Sequence, residues 1–440
     1  MNNKMKIFNR VIGALAVLLI VGCDMTDKSN NYSLTTSVTP EGTGTVSPSG
    51  GTFNKNNRID ITATANEDWV FNRWEGDIKS FTSTATLTFD SDKTVIAVFE
   101  MEQNPLLAMG YNHNGQLGDD TQVDQHSPVY SMNNVRAVSA GSWHSLAIKN
   151  DGTLWAMGYN QYGQLGDGTV ADKRAPVMIA SEVSGISGGE RHSIFVTDDG
   201  TLYTMGDNGE GQLGDGTTEM RNSPVQIDTD VKSVAIGEWH SLYIKNDGTL
   251  WGMGRNTDNQ VSSDTSVEFH STPVQIDSDV THVAAGNRFT LFIKSDATLW
   301  AVGGNGSGQL GDGTITSRAN PIQVASNVSY ATTGRDHSLF ITATGTLMGM
   351  GNNTAGQLGD GSTTTSHRSP IVIETDVIHA SGGNRHTMFI KSDGTLWGIG
   401  LNDTGQLGDG TTTQRLTPVM IDSDVVEIAS GIFHNLYVKE

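Results

Sequence analysis

The stretch Leu154-Trp-Ala-Met-Gly-Tyr-Asn-Gln-Tyr-Gly-Gln-Leu-Gly166 decides the fold, because the chain carries versions of it seven times. Its closing Gly-Gln-Leu-Gly stands at 115–118, 163–166, 211–214, 308–311, 356–359 and 405–408, with a worn copy at Asp258-Asn-Gln-Val261. Successive starts lie 48, 48, 47, 50, 48 and 49 residues apart, which leaves no room for an inserted subdomain. Its opening half, an apolar run ending in glycine, also recurs seven times, from Leu106-Leu-Ala-Met-Gly110 to Leu396-Trp-Gly-Ile-Gly400. A fixed period of this length marks stacked structural units.

Working outward from that stretch, each unit holds four short strands. In the second unit they are read at Val183 to Ser187, His192 to Thr197, Thr201 to Met205 and Pro224 to Ile227. Asp199-Gly200 joins the second to the third, a turn that recurs as Asp151-Gly152, Asp247-Gly248 and Asp393-Gly394. Four antiparallel strands in about 48 residues describe a propeller blade. The chain enters this region at a third strand, Leu106 to Gly110, and ends after a second strand, His434 to Lys439. One blade is therefore assembled from both ends, with Val425 to Ile428 and His434 to Lys439 supplying two strands and the segments near 106–110 and 128–131 the other two. This two-plus-two strand closure leaves no free sheet edge. The fold class expected is all-β: a seven-bladed β-propeller over 106–440, preceded by a small all-β domain. Composition agrees, with 52 glycines, 17% charged residues and 36% hydrophobic residues in 440, as suits a turn-rich β chain.

In order, Gly-x-x-His-Ser, the aspartate-glycine turn, Leu-Trp-x-x-Gly-x-Asn, Gly-Gln-Leu-Gly and a later x-x-Pro-Val resemble the repeat of the regulator of chromosome condensation family over all of 106–440. The resemblance implies three kinds of activity. Guanine-nucleotide exchange on a nuclear GTPase does not suit an exported chain with uniform repeats. Ultraviolet-B photoreception in the same fold uses Gly-Trp-Arg-His-Thr motifs, whereas Gly189-Glu-Arg-His192 and Gly383-Asn-Arg-His386 lack that tryptophan. Gripping another protein by one face, as a secreted propeller that inhibits β-lactamase does, is the nearest analogy.

Before the repeats lie three further segments. Residues 1–22 read as a lipoprotein signal peptide: Lys4, Lys6 and Arg10 precede the apolar run Val11 to Val21, and Ile20-Val-Gly-Cys23 looks like a bacterial lipobox. Cys23, the only cysteine, would then be the lipidation site, and 23–31 a lipidated tether. That places the chain at the bacterial cell envelope, lipid-anchored on the periplasmic side of a membrane or at the cell surface. Residues 32–100 alternate apolar and polar side chains at Tyr32 to Val38, Arg58 to Thr64, Ala85 to Phe89 and Thr94 to Phe99. With Gly42-Thr-Gly-Thr-Val-Ser-Pro-Ser-Gly50 and Phe71-Asn-Arg-Trp-Glu-Gly76, they resemble the divergent internalin B-type repeat of bacterial surface proteins. Trp69 and Trp74 are expected to pack its core and rim. Residues 101–105 are read as a linker.

Charge narrows the partners. The formal net charge is −21, and loss of the leader's three basic residues makes it −24, with 24 basic against 48 acidic residues. Such a surface repels phosphate backbones, so no nucleic-acid partner is expected. Six histidines share one repeat position, His144, His192, His240, His337, His386 and His434, with Phe289 in the seventh. They are read as structural, each bonding to loop backbone within its own blade, because a metal needs ligands about 2 Å from one ion. No metal, no cofactor and no catalytic residue is assigned. The recurrent aspartates after Gly-Gln-Leu-Gly, such as Asp167, and asparagines such as Asn160 are read as turn residues.

What varies while this frame stays fixed is the dipeptide before each histidine: Ser142-Trp143, Glu190-Arg191, Glu238-Trp239, Asn287-Arg288, Arg335-Asp336, Asn384-Arg385 and Ile432-Phe433. All seven lie in the loop joining the first and second strands, so they surround the axis on one face. Tryptophan and arginine dominate interface energetics, and Trp143, Glu190, Arg191, Glu238, Trp239, Arg288, Arg335, Asp336, Arg385 and Phe433 form the candidate binding set. The alternative is that these aromatics pad the loops while the arginines pair with neighbouring acids. A second loop set begins at Tyr111, Tyr159 and Arg255, on a face the sequence does not fix. The expected function is a non-enzymatic scaffold that binds a protein partner at the envelope. A glycan-binding or adhesion module is the alternative, and an enzyme the rival class.

Overall fold

The computed structural model describes residues 31–66, 69–101, 103–363 and 366–440. Cys23 and the leader lie outside the described residues. Every regular element described is a β-strand, and the chain divides after Glu100 into two compact units. Among the described residues no helix is long and apolar enough to cross a membrane.

In the first unit Asn31–Thr39 pairs antiparallel with Gly50–Asn54 and in parallel with Lys93–Met101, and Trp69–Gly76 completes a sheet of four. Gly44–Ser47, Arg58–Ala65 and Thr84–Thr88 form a sheet of three. The alternation in these strands turns Leu34, Val46, Ile61, Phe89 and Val95 into one core. Trp74 lies fully inside it, its indole nitrogen donating to Thr82 O at 3.1 Å, while Trp69 packs at its edge. Three strands carry too little alternation to be read from sequence: two are glycine-rich, and Trp69–Gly76 is half-buried on both faces.

The second unit contains seven four-stranded antiparallel sheets. Blade one runs Val135–Ala140, His144–Lys149, Leu154–Gly158 and Lys173–Ala180 from axis to rim. Blades two to six begin at Val183, Val231, Val280, Val328 and Val377. The seventh joins Val425–Ser430 and His434–Lys439 to Leu106–Gly110 and Gln125–Met132, so the shared blade expected from the repeat phase is present. Residues 103–105 also bond into the ring: Asn134 N donates to Gln103 O at 2.7 Å and Lys439 N to Pro105 O at 3.2 Å.

Burial explains the sequence pattern. The second strand of each blade is covered on both faces by neighbouring blades, so His144–Lys149 and its counterparts are buried at five successive positions. Rim strands such as Lys173–Ala180 expose every few residues instead. Each axial strand opens on a buried valine, followed by a bulge that tightens its twist where seven strands crowd together. The glycine that ends the third strand is required sterically: Gly158 sits at φ +103°, and a Cβ there would meet Trp143 O at 2.7 Å.

Candidate functional site

The site is built on Gly-x-x-His. In blade one Gly141 N donates to His144 O at 2.9 Å, closing the loop that links the first two strands. A Cβ on Gly141 would strike the His144 ring and lie 2.6 Å from Gly189 O of the next blade. The glycine is fixed by this approach, and the histidine fills the space beside it with no exposure.

The six histidines are buried, and their partners correct the expectation. Each reaches across to the next blade instead of to loop backbone in its own: His144 Nε2 to Ser193 Oγ at 2.8 Å, His192 to Ser241 at 2.9 Å, His240 to Thr290 at 3.2 Å, His337 to Thr387 at 3.0 Å, His386 to Asn435 Oδ1 at 3.0 Å and His434 to Ser145 at 3.0 Å. Five of these six partners, all but Thr387, donate a proton of their own to a glutamine carbonyl, as Ser193 does to Gln164 O at 2.8 Å. Having spent its proton, the hydroxyl accepts from Nε2–H, which fixes the neutral tautomer and leaves Nδ1 a bare lone pair. Burial drives the imidazoles down to about 4 at His144 and His386 and about 3 at His192, His240, His337 and His434.

The asparagine and aspartate positions are local turn supports. Asn160 Nδ2 donates to Asp167 Oδ1 at 3.0 Å, Leu165 N to Asn160 Oδ1 at 3.0 Å and Thr169 N to Asp167 Oδ1 at 3.0 Å. Lys173 pairs with the same aspartate at 2.9 Å.

The dipeptides separate into two circles. Their first residues, Ser142, Glu190, Glu238, Asn287, Arg335, Asn384 and Ile432, line the mouth of an axial cavity of about 320 Å³. Their second residues stand outside that lining and form the outer circle. Tyr111 N donates to Phe433 O and Tyr159 N to Trp143 O, both at 2.9 Å, which puts the second loop set on this same face. Tyr111, Trp143 and Phe433 then make an aromatic arc across the closing seam, with ring centroids 5.4 Å and 5.6 Å apart. Arg191 is held between blades, 4.6 Å from the Tyr162 ring and 5.3 Å from the Trp239 ring, and donates to Tyr162 Oη at 2.9 Å. Arg288 and Arg385 are exposed. Padding and pairing thus account for Arg191 and Trp239, and Arg288 lies 3.9 Å from Asp258, while the aromatic arc and Arg385 keep open surface. Tyr162 was not singled out in sequence, although its position before Gly-Gln-Leu-Gly varies between blades as the dipeptides do.

Charge at the mouth is concentrated. Arg335 reaches past blade four to Glu238 Oε1 of blade three at 3.1 Å, and Arg191 lies 3.5 Å from Glu190. Burial first, and then the neighbouring Glu238 carboxyl, push the Glu190 carboxyl up to about 7. Burial also raises Asp336, which lies 4.0 Å from Arg335.

At the other end of the cavity the third residue of each axial strand faces its counterparts. Ala137, Gly185 and Ser233 are small, whereas His282, Tyr330, His379 and Glu427 are large and line the cavity. His379 Nε2 bonds to Tyr330 Oη at 2.9 Å, His282 Nε2–H donates to Ala331 O at 2.6 Å, and His379 Nδ1 stands 3.9 Å from Glu427 Oε1. Burial raises Glu427 to about 7 and lowers His379 to about 4. Sequence reasoning missed this group, although aligning the blades shows four bulky residues following three small ones. Among the described residues no three His, Cys, Asp or Glu side chains converge as a metal site.

Seven consecutive segments between 105 and 438 match the regulator of chromosome condensation (RCC1) repeat, and residues 34–103 match the divergent InlB B-repeat domain. The chain belongs to the RCC1 repeat family. Human WBSCR16 is similar at 21% identity and a TM-score of 0.70, over 77% of this chain and 99% of that one. Prp20p from Saccharomyces cerevisiae is similar at 17% identity and a TM-score of 0.69, over 77% and 92%. At these identities the shared property is the propeller fold. No curated protein matches the chain.

Proposed function

We propose that this chain is a non-enzymatic scaffold, tethered to a membrane through acylated Cys23, that holds another protein at the bacterial cell envelope through the loop ring. The observation that carries the reading is the contrast within Gly-x-x-His: the glycine and the histidine, or Phe289 in its place, are sealed between blades, while the two residues between them take six different pairs over the seven blades, only Asn-Arg occurring twice. A fold that repeats a frame and varies one ring concentrates recognition in that ring. The half-open aromatic arc of Tyr111, Trp143 and Phe433, beside exposed Arg288 and Arg385, has the composition of an interface centre. Prp20p, a propeller of this family, is described as binding Gsp1p and histones; the partner proposed for this chain is an envelope protein.

The test is a pull-down from envelope extract with the intact lipoprotein and its Trp143→Ala, Phe433→Ala and Arg385→Ala variants. A partner retained by the parent and lost from the variants supports the reading. Equal retention removes the face from consideration, and a glycan array responding to Trp143 and Trp239 instead supports sugar binding. Labelling with radioactive palmitate, expected for the parent and absent in Cys23→Ser, tests the tether.

A further inference from the structure

The axial cavity is long, narrow and acceptor-rich at both ends. Its middle is walled by small side chains such as Ser139, Ser187, Ala235 and Ala284. At the loop end Glu190 Oε2 and Asn287 Oδ1 are buried, and no donor among the described residues reaches either. Both are acceptors, so an occupant has to bring N–H or O–H groups.

At the opposite end Glu427 presents a second carboxylate. Tyr330 Oη and His379 Nε2 are joined by a hydrogen bond of 2.9 Å. His379 Nδ1 faces Glu427 Oε1 at 3.9 Å, beyond hydrogen-bond length. No lysine or arginine among the described residues pairs with Glu427. The Tyr330 ring, flanked by the imidazoles of His282 and His379 at 4.9 Å and 5.0 Å, supplies an aromatic wall beside that carboxylate. A carboxylate next to aromatic faces is the environment that receives an ammonium group.

The two ends lie five residues apart along each axial strand, about 16 Å at the rise of extended chain. We propose that the axial cavity binds a linear polyamine, one ammonium at Glu427 beside Tyr330 and another at Glu190 and Asn287, with the methylene chain between the small residues. A lysine side chain from a protein partner has the same ammonium chemistry but only one charge, and it satisfies one end alone.

Isothermal titration calorimetry on the intact protein tests this with spermidine, butylamine and N-acetyl-lysine amide. Spermidine is expected to saturate a single site. Butylamine and N-acetyl-lysine amide are expected to bind at least tenfold more weakly. Glu427→Gln and Glu190→Gln are each expected to weaken spermidine at least tenfold, while Met178→Ala, exposed on a rim strand away from the cavity, leaves it unchanged. Because the two glutamates sit at opposite ends, either variant alone carries the test should the other fail to fold, as checked by its melting curve. Spermidine binding of equal strength in the parent and both variants overturns the proposal, since it reports only attraction to the acidic exterior. So does the absence of saturable binding at about 1 mM, or N-acetyl-lysine amide matching spermidine.

Discussion

Within four residues each blade carries both its most uniform and its most varied positions. The histidine ring and the loop ring just before it differ in one physical respect: what surrounds the side chain. His192 has no exposure and bonds the next blade through Ser241, whereas Arg191 beside it touches Tyr162 and Trp239 at the face and Arg385 in the corresponding place is open to solvent. A side chain that joins two blades is constrained by both, so it repeats. One that only borders solvent is free to differ, and the ring of differences is where a partner can be read.

The contrast breaks most visibly on removing a histidine. His192→Ala leaves a cavity and deprives the Ser241 oxygen of its donor, an expected loss of about 2–4 kcal/mol in denaturant unfolding. Arg385→Ala in the loop ring is expected to cost less than about 0.5 kcal/mol. Similar losses from both would mean the loop ring is architecture too.

Acid sharpens the same contrast. A histidine whose folded value lies below the ordinary 6.5 stabilises the fold fully above pH 6.5, and that contribution disappears as pH falls toward the folded value. Six buried histidines at about 3 to 4 therefore give a melting temperature that drops as pH goes from 6.5 to 4. Glu190 and Glu427, raised to about 7, act oppositely: their contribution is present below 4.5 and is lost as pH rises through 7. Six groups outweigh two, so the net change on acidification to pH 4 is destabilising. A melting temperature that is flat over that interval would contradict the buried neutral ring.

Blade four provides a natural control, since Phe289 stands where the others have histidine. His337→Phe is expected to cost about 1 kcal/mol at pH 7, where one hydrogen bond is lost at nearly constant volume, and to flatten part of the acid response. The reverse change is expected to be smallest. Phe289→His faces Ser338, whose hydroxyl already donates to Gln309 O at 2.6 Å and has an acceptor site to spare. Its effect should lie within about 1 kcal/mol of zero, measured by thermal melting.

Much of this was legible in the sequence. Seven copies of one unit and the phase at which they start specify the ring and its shared blade, because a repeat period translates directly into stacked sheets. The ring position of the dipeptides followed from the same phase. The histidines' partners did not, since they lie 49 or 50 residues away and only the closed ring brings them together; the Ser, Thr or Asn that follows each ring position was the available signal. His282, Tyr330, His379 and Glu427 went unread for a related reason. Each looks like one polar residue in one strand, and only stacking seven axial strands makes them neighbours. In the small domain Trp69–Gly76 escaped because a strand half-buried on both faces has no alternation to show.

The central claim is that recognition belongs to the loop ring. Its most direct test is a photo-crosslinking amino acid placed at Arg385 or Phe433 in the loop ring, and at exposed Lys232 or Val426 near the start of the axial strands, in living cells that express the protein. Crosslinks to an envelope protein from Arg385 and Phe433, and none from Lys232 or Val426, are the result this account expects. Crosslinks arising only from Lys232 and Val426, or equally from all four, would contradict it.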